Sequence, residues 1–262
     1  MTTSADTGGT VPTPPHRGFR WQRALGIALA LVLLLVAGGA LYLYLSFGCA
    51  SEASCWEGEI TAFERRDREA KPAPGAVLFV GSSSIRLWRT LEADLAPVRV
   101  LNRGFGGAHM DHVVAFAPRI VTPYAPAVIA VYAGDNDIGF GKTPARVVAD
   151  FERFVALVRD SGSRAPIFFL AIKPSRLRWD RWPDMAEANR RIAALASADA
   201  SLHYVDVATP MLDARAPDDD TGPPPSDLFL FDGLHLSSQG YALWTRVVRA
   251  RLAEVLGDAL PR

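Results

Sequence analysis

The chain has 262 residues, long enough for one generous domain or two small ones, and no internal repeat suggests an array. Lys plus Arg and Asp plus Glu each total 28, so the formal net charge is zero. No long-range field favours nucleic acid or another polyanion as a partner.

Residues 1–23 are polar and rich in Thr, Gly and Pro, with too little apolar surface to offset the entropy of ordering; they read as a disordered cytoplasmic tail. Residues 24–47 (ALGIALALVLLLVAGGALYLYLSF) carry no charge. As a helix of about 1.5 Å rise per residue they span a hydrocarbon core of roughly 30 Å, which predicts a transmembrane helix. Arg17, Arg20 and Arg23 precede this run and Glu52 and Glu57 follow it. The positive-inside rule then keeps the N-terminus cytoplasmic and exports the rest. A cleaved signal peptide fits less well, because the apolar run is too long and no A-x-A-like site follows. A lipoprotein signal ending at Cys49 would want Leu where Ser46 stands. Cys49 and Cys55 are the only cysteines, and an oxidising compartment would allow them to pair.

Residues 48–74 read as a linker followed by a polar helix with Ile60 and Phe63 facing inward, and residues 75–262 as the globular domain proper. Five short apolar runs follow: residues 76–80, 98–102, 127–133, 166–172 and 202–207. None alternates strictly, which marks strands covered on both faces of a parallel sheet. Helical patterns lie between them. Thr143 with Pro144 can open one, with Val147, Phe151, Phe154, Val155 and Val158 on one face; Asp184 can open another; a last helix begins near Ser238. Alternating strand and helix give an α/β doubly wound domain, whose chemistry belongs in the loops beyond the carboxyl ends of the strands.

The first of those loops reads GSSSIRLW. Gly81 permits a tight bend and Ser83 sits at a strand-to-helix turn, although serines there often do no more than cap a helix. In the last loop, LFLFDGLHLSSQGY, Asp232 and His235 are three apart before the final helix. A serine hydroxyl needs an imidazole to take its proton, and the imidazole needs a carboxylate to fix its tautomer; D-x-x-H supplies both on one turn. The loops NRGFGGAHMDH and GDNDI add Gly107, whose backbone can approach a ligand, and Asn136, whose amide can donate.

Taken together, GSSS, NRGFGG, GDND and DGLH resemble the four blocks of the SGNH/GDSL hydrolases, in order, over roughly residues 75 to 256. The resemblance implies a flavodoxin-like three-layer α/β/α fold with a five-stranded parallel sheet of order 2-1-3-4-5. It also implies Ser83 as nucleophile, Gly107 and Asn136 as oxyanion-hole residues, and Asp232 and His235 as the acid and base. Ser82 stands where that family usually has Asp, which is not a triad position. The segment is similar to the platelet-activating-factor acetylhydrolase-like branch.

Other motifs fail on spacing. GFGKT lacks the Gly of a phosphate-binding loop, since Asn136 occupies that position. His109 and His112 flank Asp111 without a clear third metal ligand, and a surface or supporting role suits them better. Arg176, Arg178, Arg181, Trp179 and Trp182 crowd one loop, which suits either an anionic headgroup or sugar ring, or a solvated loop packed by its tryptophans. The expected activity is therefore esterase or acylhydrolase action on a small-molecule or cell-envelope ester, with no metal or organic cofactor required. A transferase passing the acyl group to an envelope sugar, and a non-catalytic binding module, are the alternatives.

Overall fold

The computed structural model describes residues 18–47, 52–216 and 221–261. Residues 1–17, most of the proposed tail, and Cys49 lie outside them. The chain forms two compact units, Met1–Cys49 and Ala50–Arg262.

In the first unit a single helix, α1 (Gly18–Phe47), contains the apolar run and begins earlier than residue 24. Its described side chains, residues 24–38, are all exposed. That stretch is shorter than a bilayer crossing, and among the described residues no helix is long and apolar enough to cross a membrane.

The second unit is built on five parallel strands, β1 (Val77–Gly81), β2 (Val100–Gly104), β3 (Val128–Tyr132), β4 (Ile167–Leu170) and β5 (Leu202–Val205). They pair in the order β2-β1-β3-β4-β5. The helices are α2 (Glu57–Glu69), α3 (Ser83–Arg86), α4 (Leu91–Leu95), α5 (Met110–Ile120), α6 (Asp135–Gly139), α7 (Pro144–Asp160), α8 (Trp182–Ala198), α9 (Thr209–Asp213) and α10 (Ser238–Leu256).

Successive residues of a strand serve opposite faces. Leu78 and Val80 of β1 join Ile129, Val131, Ile167 and Phe169 in a core closed by α2, α5, α7 and α8, with Ile60 and Phe63 buried in it as the sequence predicts. Val77 and Phe79 join Val128, Ala130, Tyr132 and Phe168 in a second core beneath Trp88, Met211, Tyr241, Trp244 and Val248. This double burial explains why the strands read as unbroken apolar runs.

The helices that the sequence shows best have ordinary caps. The Thr143 side chain accepts the Arg146 N–H and Pro144 holds the first position of α7; Ser237 accepts the Gln239 and Gly240 N–H groups at the start of α10. Helix α8 opens at Trp182 and Pro183, two residues before Asp184, which caps nothing. The loop that carries Gly107 continues from Met110 into α5, an eleven-residue helix with Pro118 inside it that the sequence does not show.

The sheet order reverses between β1 and β3, and the crevice beyond their carboxyl ends is where an open α/β sheet accepts a ligand. The two strands are pressed close there. Gly81 has φ 140°, and a Cβ on it would stand 1.8 Å from the Tyr132 carbonyl oxygen. Only glycine fits, and Ser82 N–H then donates to that same oxygen at 2.9 Å.

Candidate active site

Ser83 is the first residue of α3, directly after the bend at Gly81. Ser82 holds the N-cap position without a side-chain bond, so the serines are not there for capping. The Ser83 side chain points instead to His235, whose Nε2 lies 3.1 Å from Ser83 Oγ across 152 residues of sequence. The other ring nitrogen, Nδ1, is 2.6 Å from Asp232 Oδ2. An ionised carboxylate accepts only, so Nδ1 carries the hydrogen and Nε2 is left to accept from the serine hydroxyl.

The turn bearing Asp232 and His235 is itself fixed. Asp232 Oδ1 accepts the backbone N–H groups of Leu234 and His235, both at 2.9 Å. Leu230 N–H donates to the His235 carbonyl, and Leu177 N–H to that of Gly233. Burial alone would raise the Asp232 pKa, but the His235 ring and the two amides hold it below the ordinary carboxylate value, which keeps it charged. Ser83 is 9% exposed and the other two side chains somewhat more open, so the hydroxyl sits at the foot of a rim.

The remaining two predicted residues lie on the segments that follow β2 and β3, the two strands flanking β1. Gly107 adopts φ 73°, a conformation glycine takes freely. Asn136 lies in α6 at the end of β3, with its Nδ2 donating to the Ala108 carbonyl at 3.1 Å, so the amide rests against the Gly107 loop. Asp137 ties the same loops together by accepting the Met110 N–H at both oxygens, 3.0 and 3.1 Å, and the Lys142 ammonium at 3.0 Å. Trp56 was not singled out by sequence; its Nε1 donates to the Gly106 carbonyl, and its ring lies 3.6 Å from where a Gly107 side chain would begin.

Of the arginine-rich loop, Arg178 turns inward: its guanidinium donates to Asn136 Oδ1 and the Asp135 carbonyl. Arg176 donates to the Pro224 carbonyl, and Trp179 stacks on Trp182. Asp135 and Lys173 form a buried pair at 3.4 Å behind the site. Burial lowers the Lys173 pKa and opposes the charge on Asp135, but Lys173 and Arg178 still hold that carboxyl below its ordinary value.

His109 and His112 are not at the surface. Both are buried, stacked with ring centroids 4.8 Å apart, and the His109 N–H donates to His112 Nδ1. With Asp111 they offer three ligand atoms within 4.8 Å of one another. The donor set suits a metal poorly: accepting at Nδ1 leaves the hydrogen of neutral His112 on Nε2, and the Lys142 ammonium already lies 2.7 Å from Asp111.

The match to a family model decides what this geometry belongs to: the GDSL-like lipase/acylhydrolase family model covers residues 75–243. The chain is a GDSL-like acylhydrolase. As such it is a carboxylic ester hydrolase. Among curated proteins, no sequence relative matches this acylhydrolase. Solved structures share its fold. A Streptococcus pneumonia protein provisionally named after platelet activating factor is 21% identical, with 88% of this chain and 99% of that one covered and a TM-score of 0.60. A GDSL-like lipase from Bacteroides thetaiotaomicron is 18% identical over 79% and 100%, TM-score 0.62. A catalytic mutant of Axe2, an acetylxylan esterase from Geobacillus stearothermophilus, is 15% identical over 69% and 95%, TM-score 0.55.

The buried histidines of this acylhydrolase make its stability depend on pH. Burial pushes His109 down to about 3 and His112 down to about 4, from an ordinary 6.5. Below 6.5 the unfolded chain therefore binds their protons first, and acidification costs about 1.4 kcal/mol per pH unit for each ring. Asp137, pushed up to about 6 by burial, acts in the opposite direction because the folded chain binds its proton first. Two rings against one carboxyl leave a net loss. Thermal melts are expected to show Tm falling between about pH 6.5 and about pH 4.5, and His112→Gln, which keeps an acceptor for the His109 amide, to flatten that fall.

Proposed function

We propose that this acylhydrolase works through an acyl-enzyme on Ser83. The observation that carries the reading is the contact of Ser83 Oγ with His235 Nε2 at 3.1 Å, backed by Asp232 at 2.6 Å on the other ring nitrogen. Ser83 Oγ attacks the ester carbonyl carbon while His235 takes the hydroxyl proton and Asp232 stabilises the imidazolium. The tetrahedral oxyanion is held by the N–H groups of Ser83 and Gly107 and by the Asn136 amide. His235 then protonates the leaving alcohol. Water, deprotonated by the same ring, attacks the acyl-enzyme and frees the acid. These steps call for no metal or organic cofactor.

We further propose that short acyl chains are favoured on a small-molecule or cell-envelope ester, with this chain in the platelet-activating-factor acetylhydrolase-like branch. The Trp56 ring beside Gly107 and the burial of Ser83 support a narrow acyl site. Among the described residues of the globular unit, the exposed large apolar side chains are Phe140, Leu177, Leu230 and Phe231. All four lie on loops that carry Asn136, Arg178 or Asp232, which supports an ester with an apolar alcohol part.

The third part of the proposal is that residues 24–47 anchor the chain in a membrane, N-terminus cytoplasmic and catalytic domain outside. The uncharged run within α1 and the arginines before it support this.

Ser83→Ala is expected to abolish turnover of p-nitrophenyl acetate, and Asn136→Ala to lower kcat by roughly two to three decades. Wild-type rates in the Ser83 variant would remove the mechanism. Protease added to spheroplasts, from which any outer membrane and wall have been removed, is expected to digest the globular domain, periplasmic or extracellular; complete protection until the spheroplasts are lysed would remove the proposed topology.

A further inference from the structure

Arg178 sits on the loop after β4, where an arginine could have met a ligand's anionic group; both of its terminal nitrogens donate inside the protein instead. Nη1 donates to the Asp135 carbonyl at 2.8 Å and to Asn136 Oδ1 at 3.1 Å, and Nη2 donates to the same Oδ1 at 3.0 Å. We propose that Arg178 is a positioning residue that sets the Asn136 amide, and through it the oxyanion hole. The proposal rests on the serine-esterase reading above and deepens it.

A guanidinium has donors and no acceptor. An Asn136 amide turned by half a revolution would present its NH2 group to Arg178, donor against donor, and would also lose its bond to the Ala108 carbonyl. Arg178 therefore forces Oδ1 to one side and Nδ2 to the other, against the loop that carries Gly107. One Nδ2 hydrogen goes to Ala108 and the second is left for the oxyanion. The Arg178 side chain is only 14% exposed, so water screens this contact little.

The place is shaped for the guanidinium. A Cβ on Gly139, at the end of the helix that carries Asn136, would lie 2.7 Å from Arg178 Nε and 2.8 Å from its Cζ. Glycine there lets the flat group lie against the helix. An ion pair holds the guanidinium in this place: Asp135 lies 3.6 Å from Arg178.

The test is a double-mutant cycle on the full chain in detergent, with p-nitrophenyl acetate as the probe. Arg178→Ala is expected to lower kcat by about tenfold to a hundredfold while changing KM by less than about threefold, and Arg178→Lys to recover part of the loss. In the Asn136→Ala background, Arg178→Ala is expected to cost less than about twofold more, because the group it orients is gone. A merely structural arginine would slow that background further. Wild-type kcat in Arg178→Ala, or losses that multiply in the double variant, would overturn the proposal. If Arg178→Ala does not fold, Gly139→Ala takes its place in the cycle, since the methyl displaces the guanidinium and leaves the rest. Fluorophosphonate labelling of Ser83, followed by mass spectrometry, reads the same cycle without ester turnover. A wild-type chain that neither turns over nor is labelled removes the esterase reading and this proposal with it. A labelled wild type whose losses multiply removes this proposal alone.

Discussion

The chemistry proposed for this acylhydrolase depends on one imidazole held between two ends of its domain. Ser83 comes from the first strand-end loop and Asp232 from the last, and His235 touches both, at 3.1 and 2.6 Å. Neither contact would hold if its supports gave way. The serine is aimed by the bend at Gly81, where the closeness of the Tyr132 carbonyl excludes any side chain. The carboxylate is aimed by two backbone N–H groups of its own turn, which occupy one oxygen and leave the other for the ring. A histidine positioned in this way needs no motion to accept a proton, which is how a fold lowers a barrier before the substrate arrives.

A second layer governs where the oxyanion would sit. The Gly107 and Asn136 loops follow β2 and β3, the two neighbours of β1, so sheet order alone brings them to the serine. Their spacing is then fixed by polar contacts: Asn136 to Ala108, and Asp137 to Met110 with Lys142 as its counter-charge. Burying so many charged groups is costly unless each is paired, and here Asp137, Lys142, Asp135, Lys173 and Arg178 pair with one another or with the backbone.

Much of this was legible in the sequence, for physical reasons that differ by element. The strands announced themselves because double burial makes them apolar throughout. Helices α7 and α10 did so because Thr143 with Pro144, and the serines near 238, mark their starts. The four strand-end motifs were legible because chemistry restricts the residue types at those places. Helix α5 was missed: its first turn carries His109, Asp111 and His112, which look like surface or ligand residues, and Pro118 interrupts its pattern. What hides those histidines is tertiary packing, Trp56 against His112 with ring centroids 4.4 Å apart and His109 stacked behind. Arg178 could be placed only in a loop that suits a ligand or solvent, because nothing in RLRW tells which way a side chain turns. Only the pairing of its loop with Asn136 across the crevice decides that.

On the proposed mechanism the acyl group passes through Ser83 with His235 as its base. The most direct measurement is to mix the enzyme briefly with p-nitrophenyl acetate, quench in acid, and map the acetyl group by peptide mass spectrometry. Acetyl is expected on the peptide containing Ser83, at the serine itself, and is expected to be lost in a His235→Ala variant. Steady hydrolysis with no acetyl on Ser83, or acetylation that persists unchanged without the imidazole, would contradict it.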